Sequence, residues 1–129
     1  MRLIKLLILL MVSSICMAQY SDHQLYQAYL VKDMQIWGKH ISSAQWNKLS
    51  LAEQKRLLNY EYGYVAYIVS QEDKNAKQLL LQFENHLKAL NGKLSNGDYH
   101  AYMAGLYSFK LSLDKLRLVS YATSLFDHN

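Results

Sequence analysis

Two amphipathic stretches joined by a short polar turn, together spanning Ser50 to Gly92, constrain this chain more than any other feature. The first opens on Ser50-Leu51-Ala52-Glu53. In this capping-box pattern the serine hydroxyl accepts an early helical N–H and the glutamate reaches back to the serine N–H. From there to about Ser70 the stretch holds no proline and one glycine. Leu57, Tyr60, Tyr64, Tyr67 and Ile68 fall on one side at spacings of three and four, and Leu58, Tyr62, Val65 and Val69 on the side next to it. So wide an apolar face suits a helix covered by more than one neighbour. Gly63 costs roughly 1 kcal/mol relative to alanine inside a helix, a loss that close approach of another backbone would offset. Gln71-Glu72-Asp73-Lys74-Asn75 forms the turn. Beyond it Ala76, Leu79/Leu80, Phe83, Leu87 and Leu90 repeat the helical spacing. Asn91-Gly92 closes the second helix, because glycine enters the left-handed conformation cheaply. A connection this short makes the two helices antiparallel neighbours.

The rest of the chain reads in the same way. It contains no proline and only five glycines, which favours long helices over sheets. The expected fold class is therefore all-α, with about five helices arranged as stacked antiparallel hairpins in a single helical domain, residues 19–129. A first helix is expected from Asp22 to about Ile41, with Tyr26, Leu30, Met34, Trp37 and Ile41 as its stripe. Ser42, Ser43 and Asn47 mark a break. Trp46 and Leu49 are then expected to tuck under the hairpin, and both tryptophans to serve as core, since large rings dominate cores. After Gly92, Asn96-Gly97-Asp98 reads as a turn. The fourth helix carries Tyr99, Tyr102, Met103, Leu106, Phe109 and Leu113. Ser112 or Asp114 caps a fifth, with Leu118, Tyr121, Ala122 and Leu125 on its inner face.

Residues 1–18 have the form of a secretory signal: Arg2 and Lys5, the apolar run Leu6–Val12, then small residues before a cut after Ala18. The run is far shorter than the roughly 20 residues of a spanning helix. The mature chain is thus expected to be exported, periplasmic or secreted, with no stable membrane span. Cys16 is the only cysteine. A lipoprotein would be anchored through it, but Ile15 is bulkier than such signals usually allow. Cleavage after Ala18 leaves no thiol chemistry. Losing Arg2 and Lys5 from fourteen basic residues leaves twelve against ten acids, a net charge of +2. These charges are scattered, which argues against nucleic acid as a partner.

The residues that carry chemistry are sparse. There is no nucleophile elbow, phosphate loop or paired-cysteine metal site, and no cofactor is expected. His23, His40, His86, His100 and His128 include no pair three or four apart, the spacings that put two ligands on one helix face. Glu84/His86 and Asp98/His100 are two apart and diverge on a helix. Glu61 shares a face with Leu57, Tyr64 and Ile68. A buried acid there either does proton chemistry through a raised pKa or is satisfied by a tyrosine or by Lys110. No catalytic constellation emerges, so the chain reads as non-enzymatic.

Residues 96–129 have the length of one tetratricopeptide repeat and resemble one. With Asn96 first, Tyr99, Tyr102, Leu106, Val119 and Ala122 occupy five of the pattern's eight signature positions. Ala122-Thr123-Ser124-Leu125 resembles its close. Met103, Lys115 and Asp127 stand where the family has a small residue, alanine and proline. The earlier pair fits from Arg56 to Ser95, with Tyr62, Gly63 and Ala66 in register and Ala76 after a one-residue insertion. The resemblance implies a short superhelix of stacked hairpins, the whole chain or the opening of a longer array. It also implies a groove lined by the first helix of each pair. Tyr60, Tyr64 and Tyr67, with His100 and Tyr107, fall on that face. Eleven tyrosines are the strongest compositional signal, and a rigid ring with a polar tip suits gripping an extended peptide. The same rings also suit a plain core. The expected function is a protein- or peptide-binding or scaffolding module of the cell envelope, with these five residues as the partner face. The alternative is a helical bundle holding a small apolar ligand in a cavity lined by Tyr60, Tyr64, Phe83 and Met103.

Overall fold

The computed structural model describes residues 20–127 and, among them, the side chains of all but 116–121 and 124–127. The expected signal segment, Cys16 within it and His128 lie outside the described residues. So do the side chains of Leu118, Val119, Tyr121 and Leu125. Among the described residues the chain is all helical, with five α-helices and no strand: α1 (Asp22–Leu30), α2 (Met34–Ser43), α3 (Leu51–Ser70), α4 (Ala76–Ala89) and α5 (Asn96–Asp127). A single 3-10 turn, Trp46–Lys48, precedes α3. Contacts divide the chain into two compact units, one ending at Gln45 and one beginning at Trp46.

In the first unit the single helix expected over Asp22–Ile41 is two. Ser21 caps α1, its hydroxyl accepting the Gln24 N–H at 3.1 Å while the Gln24 side chain accepts the Ser21 N–H at 2.9 Å. The helix stops at Leu30 because Lys32 turns left-handed, with φ of 60°. Asp33 N–H then closes on Ala28 O at 2.8 Å and Lys32 N–H on Tyr29 O at 3.1 Å. These two bonds make a Schellman ending built without glycine. The Trp37 indole N–H donates to Leu25 O at 2.8 Å, tying α2 back onto α1. Leu25, Ala28, Met34, His40 and Ile41 are buried.

The second unit contains the expected hairpin. Ser50 caps α3 and forms the full box with Glu53, at 3.2 and 2.9 Å. Leu57, Leu58, Glu61, Val65, Ile68 and Val69 are its buried residues. The turn after it is the second Schellman ending without glycine. Glu72 has φ of 54°, Asp73 N–H reaches Ile68 O at 3.1 Å and Glu72 N–H reaches Val69 O at 3.2 Å. Holding a side chain in that conformation costs about 1–2 kcal/mol, while glycine there would raise unfolded-state entropy by somewhat less. Glu72→Gly is therefore expected to stabilise the protein by about 0.5–1 kcal/mol. A thermal melt that falls instead of rising would show that the Glu72 side chain contributes something the turn geometry does not.

α4 follows and buries Ala76, Leu80, Phe83 and Leu87. Gly92, left-handed at φ 81°, ends that segment as expected. Ser95 then caps α5, its hydroxyl accepting the Asp98 N–H at 3.1 Å. α5 is one continuous rod. The expected break at Ser112 or Asp114 does not form; Ser112 caps nothing and instead donates its hydroxyl back to Ser108 O at 3.0 Å. A mid-helix serine satisfied in this way has no need of a turn. Each of α3, α4 and α5 packs on the other two, around a core of Leu58, Val65, Ile68, Leu80, Phe83, Leu87, Leu90 and Leu106. α5 meets α3 through Tyr62, whose ring lies 5.6 Å from Tyr102 and 5.4 Å from Phe109. Gly105 makes room for it: a methyl group there would sit 2.9 Å from the Tyr62 hydroxyl oxygen, inside contact distance.

Candidate functional site

The most unusual chemistry in the second unit is a buried carboxylate. Glu61 lies on the α4-facing side of α3 with only 2% of its surface exposed. The expected partners, a tyrosine or Lys110, are not the ones it has. His86 Nδ1 lies 2.6 Å from Glu61 Oε1. Against an ionised carboxylate, which only accepts, the imidazole presents Nδ1–H. Glu61 Oε2 is buried without a hydrogen-bond partner. Trp46, from the 3-10 turn, covers the other surface of the imidazole, with ring centroids 3.9 Å apart and planes within 4°. Gln54 anchors that turn by donating to Trp46 O at 3.1 Å. Trp46 thus belongs against the hairpin as expected, but half-buried, as the lid on a histidine. An imidazole held by a carboxylate is oriented as in a catalytic dyad. Here the imidazole is held between the Glu61 carboxylate and the Trp46 indole face. Among the described residues no three of His, Cys, Asp and Glu gather as a metal site.

Glu84 and His86 diverge as their spacing requires. Glu84 turns to α5, where Lys110 and Lys88 both reach its carboxylate at 2.9 Å. Hydrogen bonds from Lys110 first, then Lys88, hold the Glu84 carboxyl below the ordinary carboxylate range. Glu84 in turn raises the Lys88 ammonium.

The five expected partner residues sit on α3 and α5. On a helix of about 100° per residue, Tyr60, Tyr64 and Tyr67 lie about 140–200° round from Tyr62, the residue that faces α5. Tyr64 packs beside Tyr67, centroids 6.3 Å apart. Burial pushes the Tyr64 phenol above its ordinary pKa, with Asp73 and Tyr67 adding to the shift. Tyr60 lies under the Arg56 guanidinium at 5.4 Å. On α5, His100 and Tyr107 lie about 140–160° round from Tyr102. His100 meets Tyr99 at 6.0 Å, and Lys110 Nζ lies 6.0 Å from the Tyr107 ring. On α3 it is Tyr62, about half a turn round from Tyr60, Tyr64 and Tyr67, that meets α5. Tyr62, Tyr102 and Phe109 make the inter-helix aromatic contact.

What the molecule does present is an open groove between α4 and α5, of about 790 Å³. Leu80, Leu81 and Leu113 line it beside Lys74, Lys77, Lys110, Glu84 and Asp114. Leu81 is 56% exposed, and the same outer side of α5 shows Tyr107 at 61% and Leu111 at 56%. Of the five expected partner residues, only Tyr107 borders this groove, through Lys110. Leu81 was missed because Leu79-Leu80-Leu81 is one apolar run in the sequence, and only two of the three fit the core stripe. That surplus is the signal that could have found it.

No family model matches the chain, and neither does any curated protein or solved structure.

Proposed function

We propose that this chain is an exported, non-enzymatic helical module that binds a protein or peptide segment. The surface that supports this reading best is the α4–α5 groove. It is a concave strip whose floor is leucine and whose rim is lysine, flanked by exposed Leu81, Tyr107 and Leu111. A concave apolar floor with a polar rim is the form an interaction site takes. The tetratricopeptide resemblance supports the same class of function while pointing to a different face, the one carrying Tyr60, Tyr64 and Tyr67. No helix among the described residues is long and apolar enough to cross a membrane. The small-ligand alternative finds less support. Phe83 is fully buried, with Tyr62 and Tyr102 rings 6.0 and 6.1 Å away, so rings occupy the space where that ligand would sit.

The test places a photo-crosslinking amino acid at Leu81 and, as a control, at exposed Lys55 on α3. The variants are expressed in the producing cell and irradiated. A discrete adduct from position 81 in the exported fraction, absent from position 55, is the expected result. Equal adducts at both positions, or none at 81, overturn the groove as the binding surface. An adduct confined to the cytosolic fraction overturns export.

A further inference from the structure

The groove's charges define its occupant more closely than its shape does. Four lysines face it or its edge, Lys74, Lys77, Lys88 and Lys110, against two carboxylates, Glu84 and Asp114. Glu84 already takes both Lys88 and Lys110. Lys74 and Lys77 pair with no carboxylate among the described residues. The groove is therefore net positive, and its unsatisfied cations are concentrated at the α4 start. Its apolar content runs alongside as Leu80, Leu81 and Leu113. From Lys77 to Lys88 α4 rises about 16 Å, the length of about three turns of a second helix.

We infer that the groove takes an amphipathic α-helix, with leucine-type residues at i, i+3 or i+4 and i+7 laid over Leu81 and Leu113 and acidic side chains over Lys74 and Lys77. This rests on the peptide-binding reading above and narrows it to one chemistry of partner. A helix laid in a groove buries its stripe between two neighbours. Opposite charge at one end sets its direction and rejects basic competitors.

The test uses the full chain and two labelled peptides of about fourteen residues, four turns each. They share one leucine stripe, and one carries glutamate and the other lysine on the remaining face. Fluorescence anisotropy is expected to show the Leu/Glu peptide binding at least about tenfold more tightly than the Leu/Lys peptide, a difference of about 1.4 kcal/mol. That preference should shrink as salt is raised. Lys74→Glu with Lys77→Glu should invert it, and Leu81→Glu should abolish binding of both peptides.

Equal or tighter binding of the Leu/Lys peptide, still lost in Leu81→Glu, overturns the acidic partner and leaves the peptide-binding reading standing. Binding unaffected by Leu81→Glu overturns the groove as its site. No binding of either peptide overturns both. Sedimentation of the chain alone covers the remaining occupant. A concentration-dependent dimer lost in Leu81→Glu would make a second copy the occupant and overturn the inference.

Discussion

His86→Ala is expected to destabilise the protein by about 1–3 kcal/mol, the range for leaving a buried polar group without its hydrogen bond. The reason lies with Glu61. Its carboxylate is 2% exposed, one oxygen already lacks a hydrogen bond, and the other relies on His86 at 2.6 Å. Without the imidazole the charge is buried with nothing to answer it. Trp46 also loses the ring it stacks on at 3.9 Å. Replacing both partners is expected to cost far less than the single change. Glu61→Leu with His86→Leu removes the buried charge together with its counterpart, and such swaps are often close to neutral. The measurement is a double-mutant cycle by urea unfolding, built from Glu61→Leu, His86→Leu and their combination, with an expected coupling of about 0.5–3 kcal/mol. A His86→Ala loss below about 1 kcal/mol, the scale of an exposed pair, would show that Glu61 does not depend on His86. Trp46 emission gives a local check: it should change in the single variant even where the helical signal does not.

The same pair shows what the amino-acid sequence conceals. Glu61 and His86 are 25 positions apart on different helices. Nothing in the local spacing of either names the other. Sequence reasoning recognised Glu61 as an acid on an apolar face but gave it a tyrosine or Lys110 as its partner. Local signals fared better. Ser50 with Glu53 starts α3 and Gly92 closes the segment after α4, because capping and left-handed turns are decided within a few residues. Lys32 and Glu72 were illegible for the complementary reason. They adopt a glycine-like conformation without being glycine, so the stop between α1 and α2 carried no sequence mark. Ser112 misled in the opposite direction, since a serine that caps one helix bonds back within another. Gly105 on α5, which carried no mark in the sequence, is the glycine that accommodates Tyr62. The all-α class and the hairpin were thus within reach of periodicity. Which side of α3 meets α5 was not, because that is settled by packing, here through Tyr62, rather than by spacing.

Phe83→Ala is expected to cost about 3–5 kcal/mol, and its comparison with Tyr107→Ala separates core from contact surface. Phe83 is fully buried at the meeting of α3, α4 and α5, beside Tyr62 and Tyr102 and within the cluster of Leu58, Leu87 and Leu106. Three packed helices cannot close on a void from all sides, so most of the cavity would remain after truncation. In a domain whose total stability is about 5–15 kcal/mol, that loss removes a large share and lowers the urea midpoint accordingly. Tyr107 has the same kind of ring but is 61% exposed, with the Lys110 ammonium 6.0 Å from its centroid. Its truncation is expected to change stability by less than about 0.5 kcal/mol while weakening capture of a segment in the groove. If Tyr107→Ala unfolds the protein as far as Phe83→Ala does, Tyr107 is structural and the α5 edge of the groove is not a free surface. If Phe83→Ala is mild, the three helices do not share one core, and the groove between α4 and α5 has no rigid wall to present.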